Sequence, residues 1–179
     1  MLLFVCHANI CRSPMAERLA RQALAGYDGI TAASAGTHAS PDEVMHPLAA
    51  RVLRECGADP DGFRSRPLAV ELVATADIVL AATRQERASC AALAPPAIGR
   101  VFTIRQFGRL AAAVAVARTK TTMPELLEEV RAMRGSLQPV RPDEDDLADP
   151  VSGTVADFRA CAAEIQRSLA PALALISPT

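Results

Sequence analysis

Two residues near the start of the chain have the types and spacing of a nucleophile and its anion-binding partner. Cys6 and Arg12 enclose five residues, which makes the segment a Cys-x5-Arg loop. A cysteine thiolate is a strong nucleophile, and the planar guanidinium of arginine binds two oxygens of an oxyanion at once. The pair by itself is a weak signal, because two residue types recur at one spacing by chance.

The segments on either side of the loop predict a strand and a helix. Leu2–Val5 is a short apolar run typical of a buried strand, and residues 15–24 are predicted to be helical. Ser13 is predicted to be the helix N-cap, with Pro14 at the first helical position and Glu17 near the capping-box position. A loop that enters a helix turns backbone N–H groups into one concavity, and the helix dipole adds positive potential there. The pattern predicts a phosphate-binding loop after strand 1, with a nucleophile at its base.

Apolar segments and amphipathic segments alternate along the rest of the chain. Strands are predicted at 30–34, 76–81 and 100–103, and helices at 47–56, 70–74, 83–93, from 104 through 110, at 125–134 and at 153–176. Strands that alternate with helices are typical of a parallel sheet. We therefore expect a single α/β domain over residues 1–179: a four-stranded parallel sheet flanked by helices on both faces.

The composition argues against several classes of protein. The net charge is −1 in 179 residues, so nothing favours a nucleic-acid or membrane partner. The start of the chain lacks the basic lead of a signal peptide, and we expect a cytoplasmic location. Five cysteines at irregular spacing match neither a disulfide framework nor a zinc motif, so no metal and no cofactor is expected. Cys56, Cys90 and Cys161 are predicted to be small buried hydrophobic residues.

A resemblance to a known family rests on several segments together. Residues 4–17, Phe-Val-Cys-His-Ala-Asn-Ile-Cys-Arg-Ser-Pro-Met-Ala-Glu, resemble the signature of the low-molecular-weight protein tyrosine phosphatases. Asp149-Pro150 matches the acid–proline pair of these enzymes, and residues 34–37 and 65–68 match further family patterns. The resemblance covers nearly the whole chain. It implies a metal-independent phosphoric monoester hydrolase that works through a phosphocysteine intermediate.

The resemblance also implies a role for the main site residues. Cys6 would be the nucleophile, Arg12 would hold the phosphate oxygens, and Asp149 would protonate the leaving oxygen and then activate water. Asn9 would stabilise the loop through side-chain hydrogen bonds, and Ser13 would donate its hydroxyl to the sulfur. Five carboxylates lie between residues 143 and 149, which leaves a neighbour as an alternative acid, but only Asp149 precedes a proline.

Four further loop residues complete the predicted phosphate-binding set: His7, Ala8, Ile10 and Cys11. Cys11 is either a packing residue of the loop or, by the resemblance, the partner of Cys6 in a reversible disulfide. His7 either faces the substrate or is an exposed residue without a role. The other two histidines, His38 and His46, are expected to be surface or structural residues.

The substrate is left open between a phosphoprotein and a small phosphorylated metabolite. Family members usually wall the phosphotyrosine pocket with aromatic residues, whereas residues 38–43 and 151–152 contain no Phe, Tyr or Trp. This predicts a weak phosphotyrosine phosphatase or a phosphatase for a small phosphate ester. Ile10 favours phosphotyrosine, since family members that act on phosphoarginine tend to carry Thr at that place.

Two functions other than a phosphatase remain as alternatives. An arsenate reductase of the same fold would need two closely spaced cysteines after the third strand, where only Cys90 occurs. A non-catalytic phosphate-binding interaction module would not need Cys6, Arg12 and Asp149 together.

Compared with the shortest family members, residues 111–141 are predicted to be an extra helical insertion that leans over the site or a partner surface.

Overall fold

The computed structural model of the chain describes residues 1–27, 29–117, 120–136, 138 and 140–176. Its centre is a sheet of four parallel strands in the order β2-β1-β3-β4. The strands are β1 (Leu2–Cys6), β2 (Ala32–Gly36), β3 (Ile78–Ala81) and β4 (Val101–Thr103); the helices are α1 (Arg12–Ala23), α2 (Pro47–Glu55), α3 (Val70–Thr75), α4 (Arg84–Leu93), α5 (Ile104–Ala117), α6 (Met123–Met133), α7 (Pro142–Asp145) and α8 (Val155–Leu175), with a 3₁₀ helix at Pro95–Arg100.

Strand β1 is buried on both faces, and its side chains alternate between two cores. Leu2, Phe4 and Cys6 belong to the larger core, which α1, α2, α5 and α8 cover. Leu3 and Val5 belong to the smaller core on the opposite face, together with side chains of α3 and α4. A central parallel strand with both faces covered needs apolar residues at every position, which explains the continuous apolar run. The predicted fold, a four-stranded parallel sheet with helices on both faces, is confirmed.

The carboxyl ends of the strands bring distant segments to one edge of the sheet. Strand β1 ends at Cys6, and the loop that follows it lies at this edge. The segment around residue 147 reaches the same edge, where Leu147 N–H donates to the carbonyl of Ala82 just after β3, at 2.8 Å. Ligands of open α/β sheets bind in this position.

Two predicted boundaries were wrong. Strand β2 spans Ala32–Gly36, two residues later than predicted, and its five residues are buried although none is a strong strand former. Burial between β1 and the helices decides the strand here, because tertiary packing overrides weak propensity. Helix α1 begins at Arg12 and its N-cap position is Cys11, without a side-chain cap. Ser13 is therefore inside the first turn and is not the N-cap.

The predicted placement of the extra helical segment over the site was also wrong. Helix α5 continues to Ala117 instead of ending near residue 110, and its 14 residues carry the chain about 20 Å away from the carboxyl edge. Helix α6 consequently lies at the amino edge, where Met123 and Leu2 border one groove. That this segment is an insertion relative to the family remains a prediction, and its residues 118, 119, 137 and 139 lie outside the described residues. None of the described helices combines the length and apolarity needed to span a membrane.

Helices α5 and α8 are in tight backbone contact at Gly108, and this contact predicts a stability effect. A Cβ atom at Gly108 would lie 2.5 Å from the carbonyl oxygen of Ser168, which is backbone and cannot turn aside. We expect Gly108→Ala to lower the free energy of unfolding by about 1–3 kcal/mol, as overpacked cores do. Equilibrium unfolding in urea measures the free energy of unfolding of each variant. Gly26→Ala is the matched control, because no heavy atom lies within 4 Å of its Cβ position; equal midpoints for the two variants would contradict the contact.

Candidate active site

The sulfur of Cys6 lies at the end of β1 and makes two polar contacts. The hydroxyl of Ser13 lies 3.0 Å from Sγ, and the backbone N–H of Asn9 donates to Sγ at 3.3 Å. Cys6 is buried, with 2% of its surface exposed. Two polar groups at the start of the loop therefore lie within reach of the sulfur. Ser13 thus takes the sulfur contact that the resemblance implies, in place of the predicted capping role.

Asn9 holds the loop in its shape. Its backbone has φ of 55°, the left-handed region that asparagine tolerates better than most residues. Its side-chain amide donates to the hydroxyls of Ser13 (2.8 Å) and Ser34 (3.0 Å), and its amide oxygen accepts the N–H of Arg66 at 2.9 Å. The hydroxyl of Ser34 in turn donates to the buried carboxylate of Glu17 at 2.6 Å. The predicted side-chain hydrogen bonds of Asn9 are thus present.

The turn after β2 binds the outer side of the loop. Thr37 N–H donates to the carbonyl of Cys6, and His38 N–H donates to the carbonyl of His7, both at 2.9 Å. Gly36 allows this approach, since a Cβ atom there would lie only 2.6 Å from the carbonyl oxygen of His7. The loop carbonyls therefore point away from the concavity.

The loop N–H groups are left for a ligand. Within the described part of the chain, the backbone N–H groups of Ala8, Ile10, Cys11 and Arg12 donate to no protein acceptor. They occupy the turn that leads into α1, where the helix dipole adds positive potential. Unpaired N–H groups that converge at a helix N-terminus bind a tetrahedral oxyanion such as phosphate.

Arg12 connects this loop to the far end of the chain. Only 6% of its surface is exposed. One guanidinium nitrogen donates to Oδ2 of Asp149 at 2.6 Å, and the other donates to the carbonyl of Leu147 at 3.4 Å. Glu86 Oε1 lies 3.9 Å from the same guanidinium. The structure therefore brings Cys6, Arg12 and Asp149 into one site across more than 130 residues of sequence.

The acidic segment 143–149 contains carboxylates that anchor it and one carboxylate, Asp149, that pairs with the loop arginine. Asp145 is buried and forms ion pairs with Arg84 and Arg109, while Asp146 accepts the backbone N–H of Arg84 at 2.7 Å. All five carboxylates of this segment lie in the described part of the chain, and only Asp149 contacts the guanidinium of the loop. The side chain of Asp149 is 42% exposed, so it can reach both the loop and a ligand.

The other cysteines remain protonated at neutral pH. Burial raises the pKa of the Cys11 thiol to about 12, and the negative charge of Asp149 acts in the same direction. Burial also raises the pKa of Cys90 and of Cys161 to about 12. These two are buried as predicted, whereas Cys56 is only half-buried. Cys6 and Cys11 are both free thiols here, and their reversible disulfide stays a prediction.

The three histidines fall into two settings. His46 caps α2 by accepting the N–H of Leu48 at 3.2 Å, and its ring stacks on Phe158 with 4.7 Å between centroids, which fits the predicted structural role. His7 and His38 are exposed and stack on each other at 4.4 Å. Among the described residues, no group of three or more His, Cys, Asp or Glu side chains is arranged to hold a metal ion.

Sequence reasoning missed two contributors to the site. Thr83 and Glu86 have the spacing of a capping box at the start of α4, and Thr83 does cap that helix. The capping pattern accounts for Glu86 by local structure alone. It gives no sign that the Glu86 side chain is also buried beside Arg12. Arg66 lies in the segment 65–68 that matches a family pattern, which does not by itself indicate a contact with the loop. Its N–H donates to the amide oxygen of Asn9 at 2.9 Å, and its Nε donates to the carbonyl of Ser34 at 2.7 Å.

Fold and site together define an α/β protein whose phosphate-binding loop carries a buried cysteine. The chain belongs to the low molecular weight phosphotyrosine protein phosphatase family, whose model matches residues 1–132. The matched range ends before Asp149, whose carboxylate accepts a hydrogen bond from the guanidinium of Arg12 at 2.6 Å.

Relatives named for different activities are similar to this chain. A probable low molecular weight protein-tyrosine-phosphatase, EpsP of Ralstonia nicotianae, is 32% identical over 130 residues, which are 73% of this chain and 88% of that protein. A protein-arginine-phosphatase of Bacillus subtilis is 37% identical over 108 residues, 59% of this chain and 71% of that protein. The structure of the YwlE arginine phosphatase from Geobacillus stearothermophilus superimposes with a TM-score of 0.71 and 26% identity, covering 96% of this chain and 89% of that chain.

The hydrogen bonds of Asn9 predict a loss of phosphate binding when they are removed. Asn9→Ala removes three side-chain hydrogen bonds, each worth about 1 kcal/mol, and strains a residue at φ 55°. We expect this variant to bind inorganic phosphate at least tenfold more weakly than the unmodified chain does. The concentration of phosphate that gives half-maximal inhibition of p-nitrophenyl phosphate hydrolysis measures this affinity. Asn9→Gly is the matched control, since glycine adopts the backbone angle freely and lacks only the hydrogen bonds. Its affinity should lie between the two; full recovery with glycine would show that backbone strain alone matters.

Proposed function

We propose that this chain is a cysteine-dependent phosphatase that hydrolyses phosphate monoesters through a phosphocysteine intermediate. The observation that carries the proposal is the 2.6 Å contact between Arg12 and Asp149 beside the loop of Cys6. A nucleophile, an anion-binding arginine and a partly exposed carboxylic acid are the three groups that this reaction requires. The metal independence of the reaction and its cytoplasmic location are parts of the same proposal.

In the first step the thiolate of Cys6 attacks phosphorus in line with the ester oxygen. The S–P bond forms as the P–O bond breaks, and Asp149, protonated at this stage, gives its proton to the leaving oxygen. The loop N–H groups and Arg12 stabilise the charge on the three equatorial oxygens. The hydroxyl of Ser13, 3.0 Å from the sulfur, stabilises the thiolate before attack.

In the second step water replaces the sulfur. Asp149, now a carboxylate, takes a proton from the water as its oxygen attacks phosphorus. The S–P bond breaks, so that Cys6 leaves as a thiolate and inorganic phosphate is released. Ser13 stabilises the sulfur again, because the charge returns to it in this step.

Substrate binding would change the partners of Arg12. Phosphate oxygens would replace Asp149 as the acceptor of the guanidinium, which frees the acid to turn toward the leaving oxygen. Leu147 and Glu86 contact Arg12 independently of that exchange. They would hold the guanidinium in place when Asp149 leaves it.

We propose a phosphorylated protein side chain as the substrate, with a small phosphate ester as the alternative. Support comes from relatives whose names give them phosphotyrosine or phosphoarginine as substrates. Ile10, in the place where phosphoarginine phosphatases tend to carry Thr, favours phosphotyrosine. Arsenate reduction is disfavoured, because Cys90 lies in the core on the opposite face of the sheet from Cys6 and its raised pKa keeps it protonated.

The assignment of nucleophile and acid predicts two different defects. Cys6→Ser should abolish hydrolysis of both p-nitrophenyl phosphate and a phosphotyrosine peptide. Asp149→Asn should lower kcat by about 10²–10⁴-fold for the peptide, and less for p-nitrophenyl phosphate, whose leaving group needs less protonation. Steady-state kinetics without added metal measures both.

Asp143→Asn is the matched control for the acid. Asp143 is exposed in the same acidic segment, pairs with Arg141 and does not reach Arg12. Its rates should stay within about twofold of the unmodified chain, as for most surface substitutions. Turnover that survives Cys6→Ser, or a defect in Asp143→Asn as deep as that in Asp149→Asn, would contradict the mechanism.

A further inference from the structure

Two histidine rings form an exposed stack beside the nucleophile. The rings of His7 and His38 lie 4.4 Å apart between centroids, with 23° between their planes. Both residues are exposed, and His7 directly follows Cys6 in the phosphate-binding loop. We refer to the two rings as the His7–His38 stack. The sequence prediction treated His38 as a surface or structural residue and left the role of His7 open.

The stack is held by the backbone and is not a chance meeting of surface side chains. The N–H of His38 donates to the carbonyl of His7 at 2.9 Å, which fixes the spacing of the two residues. Gly36 lets the two segments come this close. The Nδ1 atom of His38 also lies 3.0 Å from the hydroxyl of Thr37, which orients its ring. A surface that is ordered before binding costs little entropy when a ligand packs on it.

The other aromatic rings among the described residues pack against the protein. The half-buried ring of His46, whose backbone N–H donates to the carbonyl of Ile10 in the loop, stacks on Phe158. The five phenylalanines are buried: Phe4, Phe63, Phe102, Phe107 and Phe158. Tyr27 follows the C-terminal end of α1 and packs against the larger core. Residues 147–153 carry no aromatic residue. The His7–His38 stack is therefore the aromatic surface that the described part of the chain offers next to Cys6.

The acid side of the site is apolar rather than aromatic. The N–H of Val151 donates to Oδ1 of Asp149 at 3.2 Å, so Val151 stays next to the acid. Its side chain is one of the exposed large hydrophobic groups, at 44%. A leaving group whose oxygen reaches Asp149 would therefore come close to an apolar side chain.

We infer that the His7–His38 stack binds the aromatic ring of the substrate and makes the site selective for phosphotyrosyl side chains over phosphates without a ring. Imidazole rings stack on a phenyl ring as other aromatic side chains do. The inference rests on the proposed phosphatase function and adds the substrate class to it. It also replaces the expectation that the pocket lacks an aromatic wall.

The test compares substrates with and without a ring. For each variant, the ratio of kcat/KM for a phosphotyrosine peptide to that for acetyl phosphate measures ring recognition separately from chemistry. We expect His38→Ala to lower this ratio by about three- to tenfold, the size of one aromatic stacking contact. His38→Phe should restore it, since phenylalanine keeps the ring. Ser40→Ala, an exposed change in the same turn, is the control and should leave the ratio unchanged.

A binding experiment keeps the inference testable without turnover. Benzylphosphonate and methylphosphonate differ by one ring, and calorimetry gives the affinity of the chain for each. We expect benzylphosphonate to bind more tightly, and His38→Ala to remove most of that advantage. Equal affinity for the two phosphonates, or a ratio that His38→Ala leaves unchanged, would overturn the inference even if the chain is an active phosphatase. Absence of hydrolysis combined with selective benzylphosphonate binding would instead overturn the proposed function and leave ring recognition intact.

Discussion

The phosphate-binding loop depends on one constraint: its N–H groups converge while its carbonyls are bound from outside. Backbone N–H groups without acceptors are costly unless an anion or water occupies the concavity. The protein offsets this cost with contacts on the outer side of the loop, from the turn after β2 and from the side chain of Asn9. The site of Gly36 in β2 and the positive φ of Asn9 both follow from this single requirement.

The buried guanidinium of Arg12 is surrounded by oxygen atoms of three residues. A buried guanidinium needs anionic or carbonyl partners, and it has Asp149, Leu147 and Glu86. Asp149 is the exposed member of this set, so it is the partner that a phosphate can displace at lowest cost. The buried carboxylate of Asp145 anchors the acidic segment through ion pairs with Arg84 and Arg109.

The phosphate-binding loop and the residues around its opening, which we call the rim, are under different structural constraints. Residues that shape the loop are fixed by backbone geometry and hydrogen bonding. Residues at the rim only have to suit the group that carries the phosphate. This explains how relatives named for phosphotyrosine and for phosphoarginine share one fold with this chain. The histidine stack belongs to the rim, where one family can diverge without losing its chemistry.

The sequence by itself determined the fold class and the chemical core of the site. An unbroken apolar strand, a Cys-x5-Arg loop and a following helix are local patterns. They can be recognised in the sequence without knowing which distant residues pack against them. The acid–proline pair already pointed to Asp149 among the five carboxylates, and the resemblance implied the contact of Ser13 with the sulfur. Only the tertiary structure decided that Ser13 does not cap the helix and that α6 lies far from the site. It also decided the positions of Glu86 and of the His7–His38 stack, because each depends on two segments that are distant in sequence and meet only where the parallel strands end.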